Sequence, residues 1–136
     1  MFAYSGTATQ LALDTSPTWK INGRWDWGSG CRNAEWISGG VILCDPEGAP
    51  IRDRHDRPTE ARAFFRPDEI NIVDNWHTSG LRGSGSNSYT AQDVELEDYR
   101  VATVEALRSS PLAALPIYRL HRIGSPALPI GAIALG

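Results

Sequence analysis

Apolar and polar residues alternate along several short runs of the chain, which is the pattern of strands that bury one face. Two such runs are Gln10–Asp14 and Thr18–Trp27, and Pro17 favours a break between them because proline lacks a backbone donor. A third run is Glu35–Cys44, in which the Gly39-Gly40 pair predicts a bulge. The first part of the chain is therefore expected to form strands.

Three further runs extend the pattern. Glu60–Arg66 and Glu69–Asn75 predict strands separated by Pro67, and Gln92–Glu97 predicts another. Asp45–Gly48 predicts a turn, because its proline fixes φ and its glycine permits the reversal. We expect a mainly β protein with a short irregular or helical C-terminal tail.

The stretch Ile21–Trp36 combines turn residues with tryptophans. Asn22-Gly23 between strand-forming residues predicts a hairpin turn, since both residues tolerate positive φ. Trp25 and Trp27 alternate, so in a regular strand they share one face. An indole wall beside the Ser29 hydroxyl and two glycines suits a planar heterocycle. This stretch is the candidate ligand-binding surface, and the Trp76–Ser86 loop is expected to pack beside it.

The Trp76–Ser86 loop has three glycines in its last seven residues, but it is not a phosphate-binding loop, because the run after it is strand-like and that chemistry needs a helix. Two roles are open for Arg82: meeting an anionic or carbonyl group of a ligand, or holding the loop through backbone carbonyls. Two roles are open for His77 as well: an acid or base near neutral pH, or a structural contact.

Composition sets the outer limits. The 136 residues carry a net charge of −3, which gives no electrostatic reason to expect nucleic acid. Because the chain has no excess of basic residues, binding of single-stranded nucleic acid by aromatic stacking is the weaker interpretation. No run is apolar and long enough to span a bilayer, so we expect a cytoplasmic protein, and Cys31 and Cys44 are expected to be reduced and packed.

Charges alternate in sign along Arg52–Arg57, a pattern that predicts a solvated loop. A metal site built from Asp53, His55 and Asp56 is the weaker interpretation, because adjacent side chains on an extended backbone point apart.

Two motifs carry a family resemblance. The pieces RW-x-W-x-SG-x-x-x-AEW (Arg24–Trp36) and W-H-x-x-GLRGSGS (Trp76–Ser86) resemble the middle β-domain of the acyl-CoA dehydrogenase fold, in its flavin-dependent aromatic hydroxylase and monooxygenase branch. The resemblance covers roughly Gly6–Glu105. It implies an antiparallel β-barrel or sandwich, a reduced flavin (FMN or FAD), a separate flavin reductase as partner and a small aromatic substrate.

The resemblance also implies roles for single residues. Trp27 would lie along the isoalloxazine ring, Ser29 would face its N5 edge, and Gly30 and Thr7 would contact the cofactor. Substrate-binding roles fall to Arg82 and His77. No residue of the chain matches the family's catalytic histidine: His121 lacks the surrounding motif, and the catalytic residues stay unknown.

The expected organisation is a flavin-binding type of middle β-domain over residues 1–105, followed by the beginning of a C-terminal helical domain over residues 106–136. The family's N-terminal helical domain and most of its C-terminal helix bundle are expected to be missing from this chain. Pro111–Gly136 is apolar and interrupted by prolines, so it needs cover. Association with another copy in a homo-oligomer, or with the missing portions of the family fold, is expected to supply it.

Several functions stay open at this stage. The first is the β-domain of the oxygenase component of a two-component monooxygenase, with acyl-CoA dehydrogenase as a second enzyme alternative. Another is a non-catalytic β-barrel module for binding or assembly that keeps the fold without turnover. The weakest is a plain β-domain for aromatic or carbohydrate ligands. Whether the chain is itself an enzyme is left undecided by the sequence.

Overall fold

The computed structural model describes residues 5–11 and 18–115, and the chain divides into two compact units, Met1–Val104 and Glu105–Gly136. The described part of the first unit contains seven strands: β1 (Gly6–Leu11), β2 (Thr18–Gly28), β3 (Ile37–Cys44), β4 (Glu60–Phe65), β5 (Asn71–Val73), β6 (Asn87–Glu97) and β7 (Val101–Thr103). Short 3-10 turns lie between them, at Cys31–Asn33, Pro67–Glu69, Arg82–Ser84 and Asp98–Arg100. A short helix, α1 (Val104–Ser109), begins at the last residue of the first unit, and the described part of the second unit also contains a 3-10 turn at Pro111–Ala114.

The seven strands form one sheet in the order β5-β6-β2-β1-β3-β4-β7. Five of the neighbouring pairs are antiparallel, and β1 pairs with β3 in parallel. The prediction of a mainly β fold is confirmed. The sheet is mixed, however, whereas the family resemblance implies an antiparallel barrel or sandwich. The difference arises because β3 lies beside β1 and runs in the same direction.

The sheet is curled, and its concave side encloses the core. The Tyr89 hydroxyl on β6 donates to the Ser38 carbonyl on β3 at 2.7 Å, although two strands lie between β6 and β3 in the sheet order. In a flat sheet these strands would be roughly 14 Å apart, too far for a tyrosine side chain. The largest fully buried side chains are Phe65, Ile21, Leu96 and Val41.

Trp25 lies at the centre of this core in a slot made of glycines. A Cβ at Gly6, Gly23 or Gly39 would come within 2.5, 2.7 and 2.6 Å, respectively, of Trp25 Cζ2. The indole Nε1 donates to the Gly40 carbonyl at 2.9 Å, which satisfies the one polar atom of a ring that is 5% exposed. These glycines therefore serve packing, since only hydrogen fits between the strands and the indole.

The predicted hairpin turn at Asn22-Gly23 is wrong. Both residues lie inside β2, whose pairing with β6 shifts register between Ile21 and Gly23. The positive φ falls on the partner strand, at Asp93 (φ 49°), and the Asn22 amide exchanges hydrogen bonds with the Asp93 carboxylate and backbone N–H. Asn22 therefore pairs with the bulge on the partner strand, and Gly23 makes room for the Trp25 indole.

The predicted bulge at Gly39-Gly40 is wrong as well, because the β3–β4 register runs without interruption from Ile37 to Ile42. The turn at Asp45–Gly48 is confirmed by the Gly48 N–H bond to the Asp45 carbonyl at 2.9 Å. Of the predicted Gln10–Asp14 strand only the part up to Leu11 is described, and it begins earlier, at Gly6. Pro17, Asp14 and most of the predicted apolar tail lie outside the described residues.

The Arg52–Arg57 segment is a largely exposed loop held by its own side chains. Asp53 accepts backbone N–H bonds from His55 and Arg57 and pairs with the Arg57 guanidinium at 2.9 Å. These bonds lower the pKa of Asp53 to about 2. In the described part of the chain no three acidic, histidine or cysteine side chains gather as a metal site, and no helix is long and apolar enough to cross a membrane.

Candidate functional site

A bulge near the end of β2 sets the position of Trp27. Trp25 pairs with Tyr89 on β6, but the next pair is Gly28 with Asn87, so β2 carries one extra residue there. Trp27 takes a left-handed backbone conformation (φ 61°) and its side chain is 79% exposed. The expectation that Trp25 and Trp27 form one flat face is therefore wrong, because the bulge breaks their alternation and leaves Trp25 in the core.

A cavity of about 680 Å³ opens beside the bulge. Trp27 and Ser29 both line it. The remaining lining residues include three aromatic side chains, several polar or charged ones and a few small or aliphatic ones: Ser5, Arg24, Trp25, Asp26, Gly28, Cys31, Ala34, Trp36, Ile37, Ser38, Gly40, Arg62 and Tyr89. Its volume lies in the range of small-molecule and cofactor sites. Aromatic walls with a few polar groups are what a planar, polar-edged ligand requires.

Trp27 also lines a second, more polar cavity of about 350 Å³. His77 and Trp76 lie on this cavity, and Arg24 and Asp26 border both cavities. The Ser88 hydroxyl donates to the Asp26 carboxylate at 2.6 Å, and this bond keeps the pKa of Asp26 below its ordinary value. A fixed carboxylate therefore stands next to the exposed indole.

The two sequence motifs meet at Ser29 and Gly30. The Gly30 N–H donates to the Ser84 carbonyl at 2.9 Å, and Ser29 Oγ lies 2.8 Å from Ser86 Oγ. Gly30 has a positive φ of 73° at the corner, a conformation that glycine adopts readily. The prediction that the Trp76–Ser86 loop packs beside the tryptophan stretch is confirmed by these contacts.

The loop itself is fastened by side-chain bonds to its backbone. The Asn87 side-chain oxygen accepts the backbone N–H groups of Asn75 and Trp76, and Trp76 Nε1 donates to the Leu81 carbonyl at 3.0 Å. Leu81, whose carbonyl accepts the indole N–H, has a positive φ of 54° and an exposed side chain. Asn87 is buried and directly follows the loop, so these bonds tie the first residue of the loop to the strand that begins after its last.

Trp36 forms the outer aromatic wall of the larger cavity. Its ring is 45% exposed, with the Arg66 guanidinium 4.1 Å and the Arg100 guanidinium 5.3 Å from the ring centroid. Arg100 also binds the Glu69 carboxylate and the Phe64 carbonyl, and its bond to Glu69 lowers the pKa of that carboxyl. Through these contacts the two guanidinium groups hold the Trp36 ring in position.

The residues named from the sequence are not all brought together. Trp27 and Ser29 share the larger cavity and Gly30 is adjacent to Ser29, whereas His77 lies on the smaller cavity. Thr7 is exposed on β1, and neither Thr7 nor the exposed Arg82 lines either cavity; the roles assigned to all six residues stay predictions.

Other residues of the site were given no individual role from the sequence. Asp26 and Trp36 line the cavity and belong to the stretch named as the candidate ligand-binding surface, whereas Tyr89 was not anticipated. Ser86 lies within hydrogen-bond distance of Ser29. Ser86 and Trp36 stood at the ends of the two motifs, so the motifs did hold a signal for them. Tyr89 enters the site only because the sheet curls, which local pattern does not reveal.

Comparison with known proteins gives this geometry a context. No protein-family model matches the chain. The oxygenase subunit HsaA of a flavin-dependent monooxygenase from Rhodococcus jostii is 32% identical over 107 residues, which are 74% of this chain and 25% of that protein. The oxygenase component of an FADH2-dependent resorcinol hydroxylase from Rhizobium is 33% identical over 85 residues, 62% of this chain and 19% of that protein.

The fold agrees with the sequence relationship. The crystal structure of the HsaA monooxygenase from Mycobacterium tuberculosis superposes with a TM-score of 0.69 at 27% identity, over 89% of this chain and 30% of that one. The chain thus spans about a quarter of the length of the curated relatives it matches. The family expectation from the two motifs is confirmed: the chain is a homologue of part of the oxygenase components of flavin-dependent aromatic hydroxylases, with their acyl-CoA dehydrogenase-like fold.

Proposed function

We propose that this β-domain binds a reduced flavin and takes part in hydroxylating a small aromatic substrate, as the oxygenase side of a two-component monooxygenase. One observation carries the proposal: Trp27 presents an exposed indole on the same cavity as the Ser29 hydroxyl. Homology to oxygenase components supports the same assignment.

The chemistry of the site fits one side of a flavin. The isoalloxazine ring is flat and apolar on its faces and polar along its edges, so it needs an aromatic wall and a hydrogen-bonding group beside that wall. Trp27 offers the wall and Ser29 the group. At Gly30 an added Cβ would meet nothing within 4 Å, so the corner next to Ser29 leaves open space for a ligand.

Each residue then has a physical task. A reduced flavin supplies the electrons that activate dioxygen for hydroxylation. Trp27 would stack on the ring and keep water from that face, and Ser29 would hydrogen-bond at the N5 edge. Gly30 and Thr7 would contact the cofactor, while His77 and Arg82 would contact the substrate.

Partners follow from the same proposal. An oxygenase component depends on a separate reductase to reduce its flavin, so a flavin reductase is the expected protein partner. The proposal covers FMN and FAD alike, and the substrate is assigned only as a small aromatic compound. Association into homo-oligomers and a cytoplasmic location remain predictions from the sequence.

The test is a titration of the purified chain with FMN and with FAD, followed by the absorbance of the flavin. We expect saturable spectral changes at micromolar flavin, and roughly tenfold weaker binding for Trp27→Ala because a stacking wall is lost. Tyr99→Ala is the matched control, since Tyr99 is also an exposed aromatic (77%) but lines neither cavity. Absence of any spectral change with both flavins would refute the proposal.

A turnover assay separates enzyme from binding module. The chain is mixed with a flavin reductase, NADH, flavin and a phenolic substrate, and the hydroxylated product is measured by chromatography. Product above that of the reductase alone supports catalysis by this chain. Flavin binding without product would instead favour the non-catalytic module.

A further inference from the structure

Four oxygen atoms form a row that leads from the candidate flavin surface into the Trp76–Ser86 loop. Ser29 Oγ lies 2.8 Å from Ser86 Oγ, Ser86 Oγ lies 2.8 Å from Ser84 Oγ, and Ser84 Oγ lies 2.9 Å from the Leu81 carbonyl oxygen. Ser86, in the middle of the row, is 5% exposed and borders the smaller cavity. Only Ser29, at one end, lines the larger cavity.

The direction of these hydrogen bonds follows from counting hydrogens. Two oxygens at 2.8–2.9 Å repel unless a hydrogen lies between them. The row has three such contacts and three hydroxyl hydrogens, and the Leu81 carbonyl can only accept. Ser84 must therefore donate to Leu81, Ser86 to Ser84 and Ser29 to Ser86.

This arrangement leaves Ser29 with a fixed polarity. Its only hydrogen points inward to Ser86, so the side that faces the cavity carries lone pairs alone. Ser29 therefore presents a hydrogen-bond acceptor to a ligand, although a free serine hydroxyl can both donate and accept.

We propose that Ser84 and Ser86 are positioning residues that hold Ser29 as an acceptor and so make the site select reduced over oxidised flavin. The inference rests on the proposed function and deepens it. A reduced isoalloxazine carries a hydrogen on N5, which an acceptor binds, whereas the oxidised ring has a lone pair there, which an acceptor repels. The hydroxyl row thus makes Ser29, which alone could bond to either form of the ring, distinguish the two redox states of the flavin.

The experiment measures the dissociation constants of reduced FMN, under anaerobic conditions, and of oxidised FMN for the full chain. We expect the parent protein to bind the reduced form more tightly. Ser84→Ala leaves Ser86 free to donate to Ser29, so Ser29 can turn its hydrogen outward. The dissociation constant of oxidised FMN divided by that of reduced FMN should then fall roughly fivefold, which corresponds to one neutral hydrogen bond. Ser86→Ala should lower the ratio in the same direction.

Two further variants serve as controls. Ser84→Thr keeps the hydroxyl and should retain the parent ratio, and Ser79→Ala removes an exposed loop serine outside the row and should change nothing. Binding of both redox forms with an unchanged ratio in Ser84→Ala and Ser86→Ala would overturn the role of the row while leaving the proposed function intact. Binding of neither form by the parent protein would overturn the proposed function and the row's role with it.

Discussion

Replacing Gly39 by alanine tests the account of the core most sharply. Alanine is ordinarily better than glycine in the middle of a strand by about 0.5–1 kcal/mol, so local preference predicts stabilisation. In this fold the new Cβ would lie 2.6 Å from Trp25 Cζ2, and the indole would have to move.

The indole has little room to move. Its Nε1 is bonded to the Gly40 carbonyl at 2.9 Å, and its ring packs against Tyr89 and Phe65 with centroids 5.3 and 5.5 Å away. Overpacking a buried site costs about 1–3 kcal/mol, and loss of the Trp25 hydrogen bond adds about 1 kcal/mol. Set against the gain from alanine, the expected net loss of unfolding free energy is about 1–3 kcal/mol.

Urea unfolding followed by far-ultraviolet circular dichroism measures this loss. Gly80→Ala is the control, because a Cβ there would meet nothing within 4 Å, and its unfolding free energy should stay within about 0.5 kcal/mol of the parent value. In a Trp25→Phe background the cost of Gly39→Ala should shrink, since the fused ring atoms are gone. A Gly39→Ala protein as stable as Gly80→Ala would refute the glycine slot.

Two further predictions concern stability. Tyr89→Phe should lower the unfolding free energy by about 1 kcal/mol, because the hydrogen bond to the Ser38 carbonyl is lost. Burial raises the pKa of Tyr89 from 10 to about 12, so in the parent protein the stabilisation by the neutral phenol should be lost as pH rises from 10 toward 12; ionisation near pH 10, seen as absorbance at 295 nm, would contradict this. Glu69→Gln should lower the unfolding free energy by about 1–2 kcal/mol at pH 7, because Arg100 holds the pKa of Glu69 below its ordinary 4.5. The parent protein should lose this stabilisation as pH falls below about 4.5. Urea unfolding at a series of pH values tests this, and an equal loss of stability in acid for parent and variant would contradict it.

The sequence was most informative where two motifs had to meet. The aromatic stretch and the Trp76–Ser86 loop were expected to be neighbours, and Ser29 does contact Ser86. Strand character was also predictable, because alternation reflects a buried face. The Asp45–Gly48 turn followed from backbone chemistry that acts within a few residues.

Tertiary packing decided the remaining features. Asn22-Gly23 has the local preference of a turn, but Gly23 is needed to make room for Trp25, and the bulge falls on Asp93 of the facing strand. Trp27 became exposed because a second bulge changed its orientation, and no local rule places positive φ on a tryptophan. Neither bulge can be located without knowing which strands pair.

The central claim is that a flavin ring lies against Trp27, and nuclear magnetic resonance of the indole N–H groups tests it residue by residue. The chain has five tryptophans, so five such signals are expected, and Trp27→Phe identifies one of them. On addition of FMN, the Trp27 signal should move most and Trp25, whose Nε1 is bonded to the Gly40 carbonyl, should move little. A Trp27 signal that stays in place while flavin saturates the protein, or shifts confined to Trp19 or Trp76, would contradict the account.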